Sequence, residues 1–243
     1  MTRRHDAEHD QDFAGVDREA LLADLARLVP GDSLLHAQED LKPYECDGLS
    51  AYRTLPLAVV LAADEAQVVA VLKCCRAHGV PVVARGSGTG LSGGALPHGQ
   101  GVVLSLAKMK QILRLDPVAR VAVVQPGVRN LAISEAAAVH GLYYAPDPSS
   151  QIACSIGGNV AENAGGVHCL KYGLTVHNVL RLRAVTMAGE IIEVGNHGLD
   201  APGYDLLALL IGSEGLLAVV TEVTVRLTPK PQTARVIMAS FAD

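Results

Sequence analysis
Two rhythms of apolar and polar positions run along this chain. The first is helical. In "DREALLADLARLV", residues 17 to 29, Leu21, Leu22, Leu25, Leu28 and Val29 fall on one face, and Asp17 stands where an N-cap belongs. Residues 15 to 50 therefore read as a helical N-terminal segment that loosens after its helix, and the charged residues 1 to 14 as a disordered tail. A β-α-β pattern follows. "LAVVLAA" (57 to 63) is a continuous apolar run of the buried-strand kind. "DEAQVVAVLKCCRAH" (64 to 78) has helical spacing and stops at Gly79, and "VPVVA" (80 to 84) is the next strand. The unit is expected to be parallel and right-handed.

The second rhythm is that of short strands. "GVVLSL", "QILRL", "RVAVV", "VLRLRAVT", "EIIEV" and "LLAVVTEVTVRLT" succeed one another, several separated by turn signals such as Asp116-Pro117 and Gly189. Few helices interrupt them: 130 to 140, a glycine-rich one near 156 to 164, and 204 to 211. The fold class is therefore α+β. A small β-α-β subdomain (51 to 106) precedes a larger, mainly antiparallel one (107 to 230).

Composition narrows the function. With 49% hydrophobic and 19% charged residues, 243 residues can bury a core. A net charge of −5 gives no footprint for nucleic acid, and 3% aromatics without Trp supply no stacking platform. No apolar run approaches the roughly 20 residues of a membrane span. Five cysteines without a CxxC pair read as reduced thiols in a cytoplasmic protein, with no zinc site.

The chemistry sits in "VPVVARGSGTGLSGGALPHGQGVV", residues 80 to 103. Gly88-Thr-Gly90-Leu-Ser-Gly93 spells GxGxxG, but a Rossmann fingerprint must open a helix, and "GALPHGQG" after Gly93 has no helical pattern. Asp116 lies at the distance of the usual ribose-binding acid, but in a turn. No Lys follows the glycines, which excludes a Walker A loop. What remains is a loop whose backbone N–H groups can converge on an anion, helped by the hydroxyls of Ser87, Thr89 and Ser92 and the charge of Arg85. That suits a pyrophosphate. A second cluster, 145 to 173, carries Gly157-Gly158 and Gly165-Gly166 with Asn159 and Asn163 between them, and brings bare backbone and amides toward a planar or extended ligand.

Together "RGSGTGLSGGALP", "DPSSQIACSIGGNVAENAGGVHCLKYG" and "GSEGLLAVVTEVT" resemble the FAD-binding domain of the vanillyl-alcohol-oxidase type (PCMH type), in its D-2-hydroxyacid dehydrogenase branch. The resemblance runs from about residue 40 to the end. It implies that Arg85, Gly86, Ser87, Gly88, Thr89, Gly90, Leu91 and Ser92 hold the FAD pyrophosphate. Pro146, Asp147, Ser149, Ser155, Gly157, Gly158, Asn159, Asn163, Ala164 and Gly165 would follow the flavin and ribityl chain. Glu214, Gly215 and Val220 would lie near the adenosine or flavin edge.

The implied activity is oxidation of a small D-2-hydroxyacid, of glycolate or D-lactate type, by hydride transfer to FAD. Other oxidase subunits, an iron-sulfur subunit among them, would accept the electrons, and could place the protein at the inner membrane. Thr89 stands where covalent relatives carry a flavin-linking His, so non-covalent FAD is expected; Ala218 replaces the family's usual Gly. Residues 231 to 243 are expected to begin the family's second domain, which supplies the catalytic residues and a metal site. No catalytic or metal-ligating residue is placed in this chain, which alone is expected to be inactive and to self-associate or lose FAD. The alternative is a non-catalytic FAD-binding module completed by a partner chain.

Other tempting side chains read as structural. His78 and His140 end helices ahead of glycines, His168 is hydrogen-bonded, Cys154 packs, Tyr143 and Tyr144 line a core or cleft edge, and Glu162 pairs locally.

Overall fold
The computed structural model describes residues 15–196, 203–233 and 235–241. The tail expected over 1 to 14 lies outside the described residues. Helix α1 (Arg18–Leu25) begins where its cap requires: the Asp17 carboxylate accepts the Ala20 N–H at 3.0 Å. It is shorter than its apolar spacing suggests, yet Leu21, Leu25 and the following Val29 are all buried. Strand β1 (Leu34–Leu35) and helix α2 (Gln38–Leu41) follow, so the N-terminal segment is not purely helical; β1 joins the first sheet.

That sheet contains β1, β2 (Ala58–Leu61), β3 (Val82–Arg85) and β4 (Val102–Ser105), in the order β1-β2-β4-β3. Helix α3 (Glu65–Ala77), capped by the Asp64 carboxylate on the Gln67 N–H at 2.8 Å, links β2 to β3. The two strands of the expected β-α-β unit are parallel but not adjacent. Strand β4 lies between them, with Val102 in register with both Ala58 and Val82. The physical reason is burial: every residue of β4 is buried, which makes it the natural centre of a parallel sheet covered on both faces. Adjacent parallel strands need a long crossover, usually a helix. Here the link from β3 to β4 is residues 86–101, the glycine loop itself, without an α-helix.

The larger half holds β5 (Ile112–Asp116), β6 (Val121–Val124), α4 (Asn130–Ala137), β7 (Leu142–Tyr143), α5 (Ile156–Glu162), α6 (Cys169–Tyr172), β8 (Val179–Val185), β9 (Ile191–Gly195), α7 (Leu206–Leu210), β10 (Val219–Arg226) and β11 (Thr228–Pro229). Its main sheet is antiparallel throughout, ordered β5-β6-β10-β8-β9; β11 pairs with β7 apart from it. Its core gathers Ile133, Ile156, Val160, Leu182, Val223 and their neighbours, so α5 is packed onto the sheet through Ile156 and Val160. The two halves are joined by apolar contact, since Val185 and Val219 complete the core of the small half. A polar clamp adds to it: Arg183 of β8 grips Glu65 at the start of α3 through Nε (2.7 Å) and Nη2 (2.8 Å), and Thr221 of β10 donates its hydroxyl to the same carboxylate. The α+β class with two unequal halves is thus the observed architecture. After β11 the described residues form no regular element, and Val236, Ile237, Met238 and Phe241 stand exposed.

Candidate cofactor cleft
A cleft of about 450 Å³ opens where the glycine loop leaves the carboxyl end of β3 and meets the N-terminal part of α5. Gly86, Ser87, Gly88, Thr89, Gly90, Leu91 and Ser92 line one side; Ser155, Gly158, Asn159, Glu162 and Ala164 line the other, with Glu214 beside them. The two sides touch: a Cβ on Gly86 would run into the Ser155 hydroxyl. Ser155 caps α5, accepting the Gly158 N–H at 3.4 Å, and Asn163 ends that helix in the left-handed region (φ 49°).

A second, smaller pocket of about 50 Å³ shares Gly86, Ser155 and Gly158 with the first. Arg85, Gly157, Gly215 and Val220 line it, together with Ala218. The sites expected at Pro146, Asp147, Ser149, Asn163 and Gly165 line neither space. The Asp147 carboxylate is engaged by the His168 backbone N–H (3.2 Å) and ring Nδ1 (2.6 Å), so His168 is hydrogen-bonded as expected. Asn163 Oδ1 accepts the Val176 N–H at 3.0 Å. Arg85 turns its guanidinium inward. Nη1 donates to the Cys46 carbonyl at 2.8 Å, and the cation sits 5.5 Å from the centre of the Tyr44 ring. Burial pulls its pKa below the ordinary arginine value. Its charge anchors the start of the loop from beneath.

Several cleft residues carried no signal. Asp47 comes from the irregular segment before β2; its carboxylate accepts the N–H groups of Leu49 (2.8 Å) and Gly93 (3.0 Å) and so holds the far end of the loop. Ala84, Gly94, Ala95, Pro148, Ser150, Cys154 and Ala161 complete the lining, and for Gly94 the glycine-rich run was the available clue. The local pairing expected of Glu162 is not what the structure shows: its carboxylate accepts the Ser92 hydroxyl from across the cleft at 2.7 Å. Tyr144 is core, whereas Tyr143 stacks edge-on against Tyr172, and burial raises its pKa to about 12.

The donor set is distinctive. Among the described residues, the backbone N–H groups of 87 to 92 have no protein acceptor, and all of these residues line the cleft. The side-chain amide nitrogen of Asn159, in a residue only 3% exposed, also lacks a partner. A buried unmatched donor costs about 1–3 kcal/mol. Such a row of donors fits an anionic group with many acceptor oxygens. The charged residues on the lining are Asp47, Glu162 and Glu214, with no Lys, Arg or His among them. An anion here is held by amides, and the carboxylates suit hydroxyl groups.

A family model described as a FAD binding domain matches residues 56–195. The chain belongs to this family. FAD is its cofactor, and the open donors described above fit it. The chain is 61% identical to glycolate oxidase subunit GlcD of Escherichia coli over 99% of its own length and 48% of that protein. It is 43% identical to GlcD of Bacillus subtilis (82% of this chain, 43% of that protein) and 45% identical to D-lactate dehydrogenase of Archaeoglobus fulgidus (75% and 41%). The chain spans about half the length of the curated relatives it matches. Among solved structures it matches alkyldihydroxyacetonephosphate synthase with a TM-score of 0.79 at 20% identity, covering 88% of this chain and 41% of that one. A substrate-bound p-cresol methylhydroxylase matches with a TM-score of 0.76 at 21% identity (88% and 44%). These two likenesses concern the fold and agree with the PCMH-type architecture expected from the glycine segments. Among the described residues no helix is long and apolar enough to cross a membrane.

Proposed function
We propose that the cleft binds FAD non-covalently and that the protein carrying this domain oxidises a small D-2-hydroxyacid of glycolate or D-lactate type. The observation that carries the reading is the row of unpartnered N–H groups from 87 to 92 facing a second glycine segment across one cleft. Those amides and the hydroxyls of Ser87, Thr89 and Ser92 would take the pyrophosphate. Asn159 would give its free amide to the flavin or ribityl end, and Glu162 and Glu214 would accept from ribityl or ribose hydroxyls. Gly157, Gly215 and Val220 would border the cofactor from the smaller pocket. FAD, when bound, supplies a two-electron acceptor for the substrate α-carbon. Residues 51 to 230 would form this cofactor unit. Other oxidase subunits would take the electrons, which the word subunit in the names of the GlcD relatives supports, and an iron-sulfur subunit would be one of them. We place the assembly in the cytoplasm, reaching the inner membrane through those partners.

One observation favours the second reading, a FAD-binding module that becomes catalytic only with a partner chain. The cleft lining offers carboxylates but no cation to anchor a substrate carboxylate. Leu91, Ile152, Val167, Leu170, Leu216 and Leu217 are also exposed, which supports self-association of the isolated chain.

The test is an absorbance spectrum of the purified chain before and after acid precipitation. Flavin bands that pass to the supernatant are expected. Bands retained in the pellet would mean covalent attachment, and no flavin in the full-length protein after FAD is added back would remove the cleft assignment. Dye reduction by the full-length protein with glycolate and D-lactate then tests the substrate class, and failure with every 2-hydroxyacid would overturn it.

A further inference from the structure
At the opposite end of the small sheet from the cleft, three side chains meet that FAD binding does not use. Cys74 and His78 are four positions apart at the end of α3 and share one face. Asp24 faces them from α1, which packs on α3. The Asp24 carboxylate, Cys74 Sγ and a ring nitrogen of His78 all lie within 4.8 Å of one another, and all three residues are half-buried. His78 Nε2 is 2.9 Å from Asp24 Oδ2. The other oxygen, Oδ1, accepts from Arg27 Nη1 at 2.9 Å, which orients the carboxylate.

We propose that Asp24, Cys74 and His78 form a binding site for a divalent ion of the zinc class. The donor set decides the metal. One sulfur, one imidazole nitrogen and one carboxylate oxygen suit zinc, whereas magnesium and calcium take oxygen alone. Carboxylate and thiolate together neutralise the dication. Three protein ligands leave the fourth position to water, which half-burial admits. The reaction is a proton exchange without redox: Cys74–SH and M²⁺ give Cys74–S⁻–M²⁺ and a proton released to solvent. The ion must displace the thiol proton, so affinity climbs with pH. None of the three lines the cleft, so the ion would fasten α1 to α3 rather than meet the cofactor.

The test uses the chain as purified with its flavin, dialysed against Zn²⁺ and then against metal-free buffer, with zinc measured by elemental analysis. One zinc per chain is expected, with Cys74 protected from iodoacetamide by Zn²⁺ when mapped by peptide mass. Cys74→Ser, His78→Gln and Asp24→Asn should each weaken zinc binding about tenfold or more while the flavin spectrum stays unchanged. No retained zinc, or retention that survives all three substitutions, would overturn the site. Should a variant fold poorly, the wild-type alkylation pattern still decides: Cys74 modified equally with and without Zn²⁺ refutes the proposal.

Discussion

The two glycine-rich segments face one cleft but use their glycines differently. In the first, a Cβ on Gly90 would lie 3.1 Å from Glu162 Oε1, and one on Gly94 would lie 2.8 Å from Glu214 Oε2. The obstacles are the ends of side chains that line the cleft, so these glycines keep the loop backbone bare where a ligand must approach. In the second, a Cβ on Gly157 would come 2.6 Å from Pro126 Cβ, and one on Gly165 would come 2.7 Å from Leu174 Cδ2. These obstacles belong to the packed interior. Glycine density alone therefore does not mark a ligand contact. One segment is bare toward the cleft, and the other is largely bare toward the fold.

Gly157→Ala should break the second segment most. The new methyl meets the Pro126 ring and backbone, which cannot rotate away, and overpacking of this kind costs about 1–3 kcal/mol. For a chain of this size each kcal/mol is roughly 2–4 °C in Tm, so a fall of several degrees is expected by calorimetry. Gly90→Ala should do the reverse, leaving Tm nearly unchanged and weakening FAD. A Gly90 variant that melts early with normal FAD affinity would erase the distinction.

The next effect tests where the segments touch. Gly86→Ala drives a methyl into the Ser155 hydroxyl, and FAD affinity should fall about tenfold, or 1.4 kcal/mol. Ser155→Ala alone should cost about 1 kcal/mol of stability through its lost cap. The double variant should recover part of the Gly86 loss, because the colliding atom is gone. Measured as FAD affinity in all four chains, a coupling of at least about 0.5 kcal/mol is the expected result, and simple additivity would separate the two segments energetically.

The sequence made some of this legible and hid the rest. Capping carboxylates at Asp17 and Asp64 and the apolar runs of β2 and β10 announced their elements, because local chemistry and tertiary burial agree there. The place of β4 was hidden, since a continuous apolar run does not say which neighbours it pairs with. In the site, the glycine run pointed to the cleft because bare backbone has few other uses at that density. Asp47 escaped because an acid in an irregular segment looks like any surface acid until tertiary structure sets it on the Gly93 N–H. The side chains of Asp147 and Asn163 were equally silent: polar residues in the second segment, they are engaged by the His168 and Val176 N–H groups, partners that their sequence positions do not announce.

The Arg183–Glu65 clamp sets a smaller effect, because it joins the half that bears the first segment to the half that bears the second. The Arg183 hydrogen bonds hold the Glu65 carboxyl below the ordinary glutamate value, against the opposing pull of burial. A depressed carboxyl stabilises the fold above its unfolded pKa, near 4.3, and that contribution is lost as pH falls through the lower folded-state value. For a pair still partly open to solvent the loss is about 1 kcal/mol. Arg183→Gln should therefore lower Tm at pH 7 by a few degrees and flatten the dependence of Tm on pH below about 4.5. An unchanged acid limb would place the coupling of the halves in the shared Val185 and Val219 packing instead.

The smallest effect asks whether the first segment is for a ligand at all. Ser92 is exposed, and its hydroxyl donates to Glu162 across the cleft at 2.7 Å. An exposed neutral-to-charged hydrogen bond contributes little net stability, so Ser92→Ala should leave Tm within about 1 °C. Its value should appear only when FAD offers a competing acceptor. Loss of one such donor should weaken FAD about two- to fivefold, or 0.4–1 kcal/mol, in an equilibrium titration followed by flavin fluorescence. Ser92→Thr keeps the hydroxyl and should restore most of that affinity. A Ser92→Ala chain that melts several degrees lower and binds FAD as before would show the hydroxyl to be holding the loop to α5, as the glycines of the second segment hold theirs to the core.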